Sequence, residues 1–324
     1  MGVVKNLRFL IEYFGVLILY FAVRNAPRWL LFKMADISVI AIYLAPSLKK
    51  LMEANLKTAF PEKSKKEISR LARKSFSNLS LSMLEFFWFV DRPDRLEKYA
   101  VYGDEVKAFT KSSNKGFIFV TPHLGNWELA GLLVSHFDDI PFSVIARTVR
   151  NPYINKLINS GRMRKGNKII SSKGAVKNML KSLREGAGMA TLIDQNTRVR
   201  DGGIFVNFFG LPVPASRAPA MFAKKLDIPV VVAGCVRKGK RYEAFIRPLS
   251  KKTSEYKDDF ELTQELMSLT ESLVREYPDQ YLWLYKRFQN IPKEADEELI
   301  KLYPYYASVA DERFYSKPLA RKKH

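Results

Sequence analysis

Lys115-Gly-Phe-Ile-Phe-Val-Thr121, followed at once by Pro122-His-Leu-Gly-Asn-Trp-Glu128, is the stretch from which the fold can be read. Its first half is a short apolar run, β-branched and aromatic, the signature of a buried strand. Pro122 breaks the run because it has no backbone donor for a sheet ladder. From Asn126 to Phe137 apolar residues return at helical spacing. Strand, tight loop and helix therefore follow one another without a linker.

Working outward, the same unit recurs. Phe142 to Ala146 is strand-like, with a basic helix after Pro152. Lys168 to Ser171 is a short strand and Ala175 to Arg184 a helix. Met189 to Ile193 is a strand running into a long polar loop, Ala218 to Leu226 a helix, and Pro229 to Val236 a strand. Tyr242 to Arg247 adds a further strand, parallel or antiparallel, and Asp258 to Tyr277 is an amphipathic helix. Alternation of this kind predicts an α/β fold, a central mostly parallel sheet flanked by helices. Ser47 to Val90 reads as helix throughout, ending before Pro93. The expected organisation is an anchoring helical region over 1–46, a helical segment over 47–95 packed on the main domain, the α/β domain over 96–290, and a polar tail over 291–324 that frays.

The anchoring reading rests on two apolar stretches. Phe9 to Val23 carries only Glu12 and Gly15 as interruptions and is flanked by Arg8 and Arg24. Trp29 to Phe32 and Ile37 to Leu44 follow, ending before Pro46. Aromatic-rich helices edged with cations suit insertion at a bilayer. A single span and a half-inserted helix both fit, and cations on both flanks leave the orientation open.

The chain has 324 residues with 54 Lys and Arg against 33 Asp and Glu, a net charge of +21. Such a surface attracts polyanions: nucleic acid, an anionic membrane face or an acidic protein. Aromatics fall in apolar runs rather than between cations, which argues against nucleic acid. The single cysteine, Cys235, lies in an apolar strand and reads as core. It excludes an internal disulfide and a thiolate-rich metal site. With His123, His136 and His324 as the only histidines, neither a metal nor a cofactor is expected. His136 reads as a hydrogen-bonded helix histidine, and Glu85, inside an apolar helix, as one half of a structural ion pair.

His123 follows a strand, at the sheet edge where open α/β sheets bind ligands. Glu128 is five residues on, in the first turn of the next helix, where backbone amides favour a carboxylate. If the loop folds back, Glu128 orients the imidazole and stabilises the imidazolium formed when the ring takes a proton. Gly125 permits the turn, and the amides around Asn126 are candidate oxyanion donors. Arg147 follows a strand at the same edge and opens a run of seven cations without an acid through Lys168. It reads as a binder of phosphate or of a polarised carbonyl, or as part of a solvated basic face. Asp194 and Gln195 follow a third strand at that edge, to contact hydroxyls or to cap the loop.

His123-Leu-Gly-Asn-Trp-Glu128 resembles the His-x-x-x-x-Asp/Glu motif of glycerolipid acyltransferases. More narrowly, the chain resembles the bacterial lauroyl/myristoyl acyltransferases that complete lipid A. Asn55 to Glu62, Asp194-Gln195, the Phe-Phe-Gly-x-Pro loop in Phe205 to Pro212, and Trp283 to Phe288 agree in order and spacing, over roughly residues 5–290. The resemblance implies direct acyl transfer from acyl carrier protein or acyl-CoA to a glycolipid hydroxyl, with His123 and Glu128 catalytic, on a bacterial inner membrane with the catalytic domain facing the cytoplasm. It implies Phe208, Phe209 and Gly210 at the acceptor wall, although a packed aromatic loop fits them equally. No Gly-x-Ser-x-Gly elbow is present, so no acyl-enzyme is expected. Asn196, Asn207 and Ala215 to Pro219 depart from the family pattern. They leave a lipid A precursor, a phosphatidylinositol mannoside or another glycolipid open as acceptor.

Overall fold

A computed structural model of the chain describes residues 2–113, 116–137, 142–146, 148–163, 167–171 and 175–316. Among the described residues seven strands form one sheet: β1 (Ala100–Tyr102), β2 (Phe117–Thr121), β3 (Phe142–Ala146), β4 (Lys168–Ser171), β5 (Gly188–Leu192), β8 (Val230–Lys238) and β9 (Arg241–Arg247). Their order is β1-β9-β8-β2-β5-β3-β4. Every neighbouring pair is parallel except β8 with β9, which pair antiparallel. The mostly parallel α/β architecture expected from the alternation is the one observed.

Successive residues of each strand feed two separate cores, as a period of two requires. Ile118, Val120, Val230 and Val232 face one, with α10 (Ala175–Arg184), α11 (Ala218–Leu226) and α12 (Asp259–Glu276) packed over them. Phe117, Phe119, Val231 and Cys235 face the other, under α7 (Asp104–Ser112) and α8 (Trp127–Phe137). The N-terminal helices are α1 (Gly2–Asn25), α2 (Arg28–Ser38), α3 (Ile40–Leu44), α4 (Pro46–Ala59), α5 (Lys65–Phe89) and α6 (Pro93–Tyr99). Of these α1, α2, α6 and the end of α5 join the second core, while α3, α4 and the start of α5 join the first through Ile42, Met52, Leu56, Ile68 and Ala72.

Within α1, Lys5–Asn25 is long and apolar enough to cross a membrane. Leu7, Ile11, Phe14, Ile18 and Phe21 are exposed, while Tyr20 and Val23 are buried. The buried stripe is fastened to the rest of the chain. Asn151 donates to the Phe9 carbonyl and to Glu12, and the Tyr20 hydroxyl donates to Asp91. Further on, Arg28 holds the buried Glu85 of α5 through Nε and Nη2, at 3.0 and 2.8 Å, and the Tyr242 hydroxyl donates to the same carboxylate. Glu85 is thus half of an ion pair. Its own pKa is pushed up by burial, against the opposing pull of Arg28 and Tyr242.

Three expectations change. The helical reading of Ser47 to Val90 is interrupted over 60–64, where Pro61 stops α4 and Ser64 opens α5 with a capping box: its side chain accepts from Glu67 N, and the Glu67 carboxylate accepts from Ser64 N. The long polar loop after β5 contains an antiparallel hairpin, β6 (Gly203–Phe208) and β7 (Leu211–Ser216). Its two-residue turn is Phe209-Gly210, with φ of +53° and +78°. Positive φ at both positions defines the hairpin turn whose twist matches its strands, and it is unusual for a phenylalanine. Packing holds it there: the Phe209 ring meets Phe60 and Trp283, and its N–H donates to Glu271.

The tail is packed through residue 316 rather than frayed. It carries β10 (Asn290–Ile291), α13 (Glu297–Lys301), β11 (Ser308–Val309) and α14 (Glu312–Tyr315), with β10 and β11 paired in parallel. The Tyr303 hydroxyl donates to the Pro212 carbonyl, and Phe314 is buried.

Candidate active site

Strand β2 pairs with β5 in parallel from Phe117↔Gly188 to Thr121↔Leu192. His123 lies two residues beyond Thr121, and Asp194 two beyond Leu192. The same register that builds the ladder therefore brings them face to face across the sheet's carboxyl edge. Asp194 accepts from the His123 backbone N–H and from ring Nδ1, each at 2.8 Å. The chain then leaves the two strands on opposite faces, β2 to α8 and β5 to the hairpin and α11. That divergence opens a crevice at the paired residues.

The carboxylate on the imidazole is thus Asp194 and not Glu128. The loop is why. Gly125 N donates to Gln280 O, Asn126 N to Cys235 O, and Leu282 N to His123 O, while Ser82 Oγ donates to Gly125 O. Gly125 has φ of +63°, and a Cβ there would overlap the Cys235 carbonyl. A loop fastened to β8 and to the segment after α12 has no slack to fold back. Glu128 instead sits in the first turn of α8 and pairs with Arg162 at the end of α9 (Pro152–Arg162): Arg162 Nε donates to Oε2 at 2.9 Å, and Nη2 to Oε1.

Burial works to lower the His123 pKa, but the charge and hydrogen bond of Asp194, helped by Glu128, outweigh it and leave it raised. Asp194 is buried, which favours its neutral form. The His123 charge, two bonds from His123 and the positive Arg287 reverse this and hold its carboxyl below the ordinary range. An ionised Asp194 on Nδ1 selects the tautomer with Nδ1–H, so the Nε2 lone pair faces the crevice. Gln195 Nε2 lies 3.4 Å from that Nε2.

Beside His123 an apolar cavity of about 450 Å³ runs between α8 and the sheet. His123, Trp127, Glu128, Arg162 and Gln195 stand at its polar end. Phe119, Phe142, Val106 and Tyr102 line its apolar depth. The other expected site residues fall elsewhere. Asn126 is buried, its side-chain oxygen capping α8 through Leu129 N, with no partner for Nδ2 among the described residues. Phe208 and Phe209 are buried in the core across the sheet, and Gly210 is in the exposed turn, so none of the three lines the cavity. Arg147 lies outside the described residues. Cys235 is buried, and burial raises its thiol pKa well out of the nucleophilic range. His136 bonds Glu97, a plain helix-surface contact.

Arg162 and the pairing of Asp194 are what the sequence did not disclose. Arg162 is one of seven cations in an acid-free run, with nothing local to single it out. Arg287 was visible only as a motif residue. It is buried, donates from Nη1 to Asn196 Oδ1 at 2.6 Å and to Pro214 O at 2.8 Å, and so fixes the loop that carries Asp194.

Fold and site together define an α/β protein with a histidine–aspartate pair at the polar end of an apolar cavity beside its sheet. The chain belongs to the bacterial lipid A biosynthesis acyltransferases, whose family model matches residues 2–290. It is 25% identical over 297 residues to the lipid A biosynthesis lauroyltransferase of Escherichia coli K12, covering 88% of this chain and 94% of that one. Identity to the lipid A biosynthesis palmitoleoyltransferase of the same organism is 24% over 294 residues, with 88% and 93% covered. A lipid A biosynthesis acyltransferase of Haemophilus influenzae is 26% identical over 238 residues, covering 72% and 73%. The protein is therefore an acyltransferase enzyme of lipid A biosynthesis.

Proposed function

We propose that the protein transfers a fatty acyl chain from a thioester donor directly to a hydroxyl of a lipid A precursor, with His123 as general base and Asp194 as the group that orients it. The observation that carries this reading is the His123–Asp194 pair, its carboxylate buried, with Nε2 beside Gln195 at the mouth of an apolar slot. The acceptor oxygen attacks the thioester carbonyl carbon while its proton passes to Nε2. The tetrahedral centre collapses with loss of the C–S bond, and the imidazolium returns the proton to the departing sulfur. Asp194 stabilises the imidazolium between these steps. No covalent acyl-enzyme is needed, and the buried Cys235 offers none.

Glu128 retains a role in this scheme, but through Arg162. The pair sits at the slot mouth, where a guanidinium oriented by a carboxylate suits an anionic oxygen of either substrate. Acyl carrier protein is the favoured donor, since it is strongly acidic and the chain carries +21. The exposed apolar side of α1, continued by Trp29, Ile37, Ile40 and Leu44, supports attachment to the inner membrane. A cytoplasmic active site would meet such a donor there.

The test is reconstitution of full-length protein in detergent with acyl-carrier-protein and acyl-CoA donors and a lipid A precursor, read by mass spectrometry. An acceptor heavier by one acyl group is expected. Its appearance at an undiminished rate with His123→Ala would refute the mechanism, and release of free fatty acid alone would make the protein a hydrolase.

A further inference from the structure

One residue in the slot lacks a structural reason. Gly131 lies in the middle of α8, where glycine is a poor choice because it gives up more chain entropy than alanine and packs nothing. The other glycines near the site explain themselves. A Cβ at Gly125 would strike the Cys235 backbone, one at Gly161 in α9 would strike Val90, and one at Gly188 would strike the rings of Phe117 and Phe142. At Gly131 a Cβ would meet nothing within 4 Å, and the position needs no left-handed backbone. Gly15 in α1 is also open, but it faces outward on the exposed side, whereas Gly131 is half-buried and lines the cavity.

The empty space beside Gly131 is the slot. Trp127, Ala130, Gly131 and Val134 lie on one face of α8 at helical spacing and all four line it, whereas Leu129 and Leu133 do not. Trp127 stands beside His123, their rings 5.0 Å apart, at the polar end. Along the helix the lining runs from Trp127 past Gly131 to Val134. Across from it the sheet presents Ala190, Ala233 and Ala244, small residues on three different strands. A chain leaving the thioester carbonyl at His123 must pass the Gly131 level to reach the depth between Phe119 and Phe142.

We infer that Gly131 is the residue that sets the acyl-chain length, its missing side chain keeping the slot open so that the distal half of a straight saturated chain can pass beneath α8. The inference rests on the acyl-transfer reading of the same site. Filling that position with successively larger side chains shortens the longest chain accepted. It does not disturb the fold, because nothing stands where the Cβ goes.

The experiment offers full-length wild-type protein, Gly131→Ala and Gly131→Leu an equimolar mixture of donors from octanoyl to palmitoyl with a lipid A precursor. Products are resolved by mass, and each protein is melted in parallel. Alanine is expected to melt no lower than wild type, and by helix propensity about 1–3 °C higher. Leucine is expected to move the preferred donor to a shorter chain, lowering the ratio of wild-type-preferred to shorter product by at least about tenfold, as a pocket short of one or two methylenes does. If leucine prevents folding, the alanine profile decides, with a smaller shift in the same direction. An unmoved profile, or a uniform loss across all donors, overturns the assignment while leaving an active wild type. A wild type that acylates nothing from any donor rejects the underlying reaction instead.

Discussion

The two faces of the sheet are built from the same strands and do opposite things. On the α12 side, Phe208 and Phe209 meet Tyr281, Trp283 and Phe288 in a run of ring contacts, with Phe60, just past the end of α4, closing the cluster. On the α8 side, Phe119 and Phe142 meet in the same way, yet a cavity of about 450 Å³ remains. The difference is residue size where the helix crosses the strands: Gly131 and Ala130 on the helix, Ala190, Ala233 and Ala244 on the sheet. Interiors pack without voids unless a void is kept. One face therefore holds the fold, and the other keeps an open cavity in place of close packing.

That comparison can be broken most sharply at its hinge, the sheet edge. His123→Ala should lower kcat/KM by about 10²–10⁴, the usual worth of a positioned base, with the melting temperature little changed. Asp194→Asn should cost a similar factor when assayed near neutral pH and carry a second signature. With His123 as the base, active only when neutral, its raised pKa should put the acid limb of the kcat/KM profile above the ordinary histidine value. Removing the Asp194 charge leaves burial, which lowers that pKa, so the limb should move to lower pH. A limb that stays in place would show that Asp194 does not govern the base.

On the closed face the effect should reverse in kind. Phe208→Ala removes a fully buried ring and should destabilise the protein by about 3–5 kcal/mol, read as a fall in the denaturation midpoint. The donor chain-length profile of the surviving folded fraction should stay that of wild type. A changed profile would mean that the two faces are coupled. The smallest expected effect is at Ser82, whose hydroxyl ties α5 to the Gly125 carbonyl at 2.9 Å. Ser82→Ala leaves that carbonyl without this bond and should cost about 0.5–1.5 kcal/mol of stability. If the loop is over-determined by its backbone bonds, kcat should change by less than about threefold, in keeping with so small a free energy.

Much of this was legible without coordinates, for a local reason. Apolar runs with period two, helices at period 3.6 and proline stops are written within a few residues of where they act. That is why β2, β3, β4, β5, β8, α8, α11 and α12 fall within a residue or two of their expected bounds. The hairpin was missed because its turn uses Phe209 at positive φ, a residue that gives no turn signal and stays there only by packing in a distant core. The packing of the tail is not legible locally, because its tyrosines find their partners in segments far along the chain: the buried Tyr303 on Pro212, and the half-buried Tyr306 on Asn55.

The site divides the same way. The sequence by itself determined that His123 stands at a sheet edge after a strand, and that the protein has the family's motifs in order. It named Glu128 as the carboxylate for that histidine, and set Asp194 at the same edge only to contact hydroxyls or cap its loop. Only the tertiary structure puts Asp194 on the ring and Glu128 away from it. The choice was made by the β2–β5 register, which sets residues 71 apart in sequence opposite one another, and by a loop pinned too tightly at Gly125 to bring Glu128 back. Strand register is a property of two segments and the core between them, so no reading of either segment alone contains it.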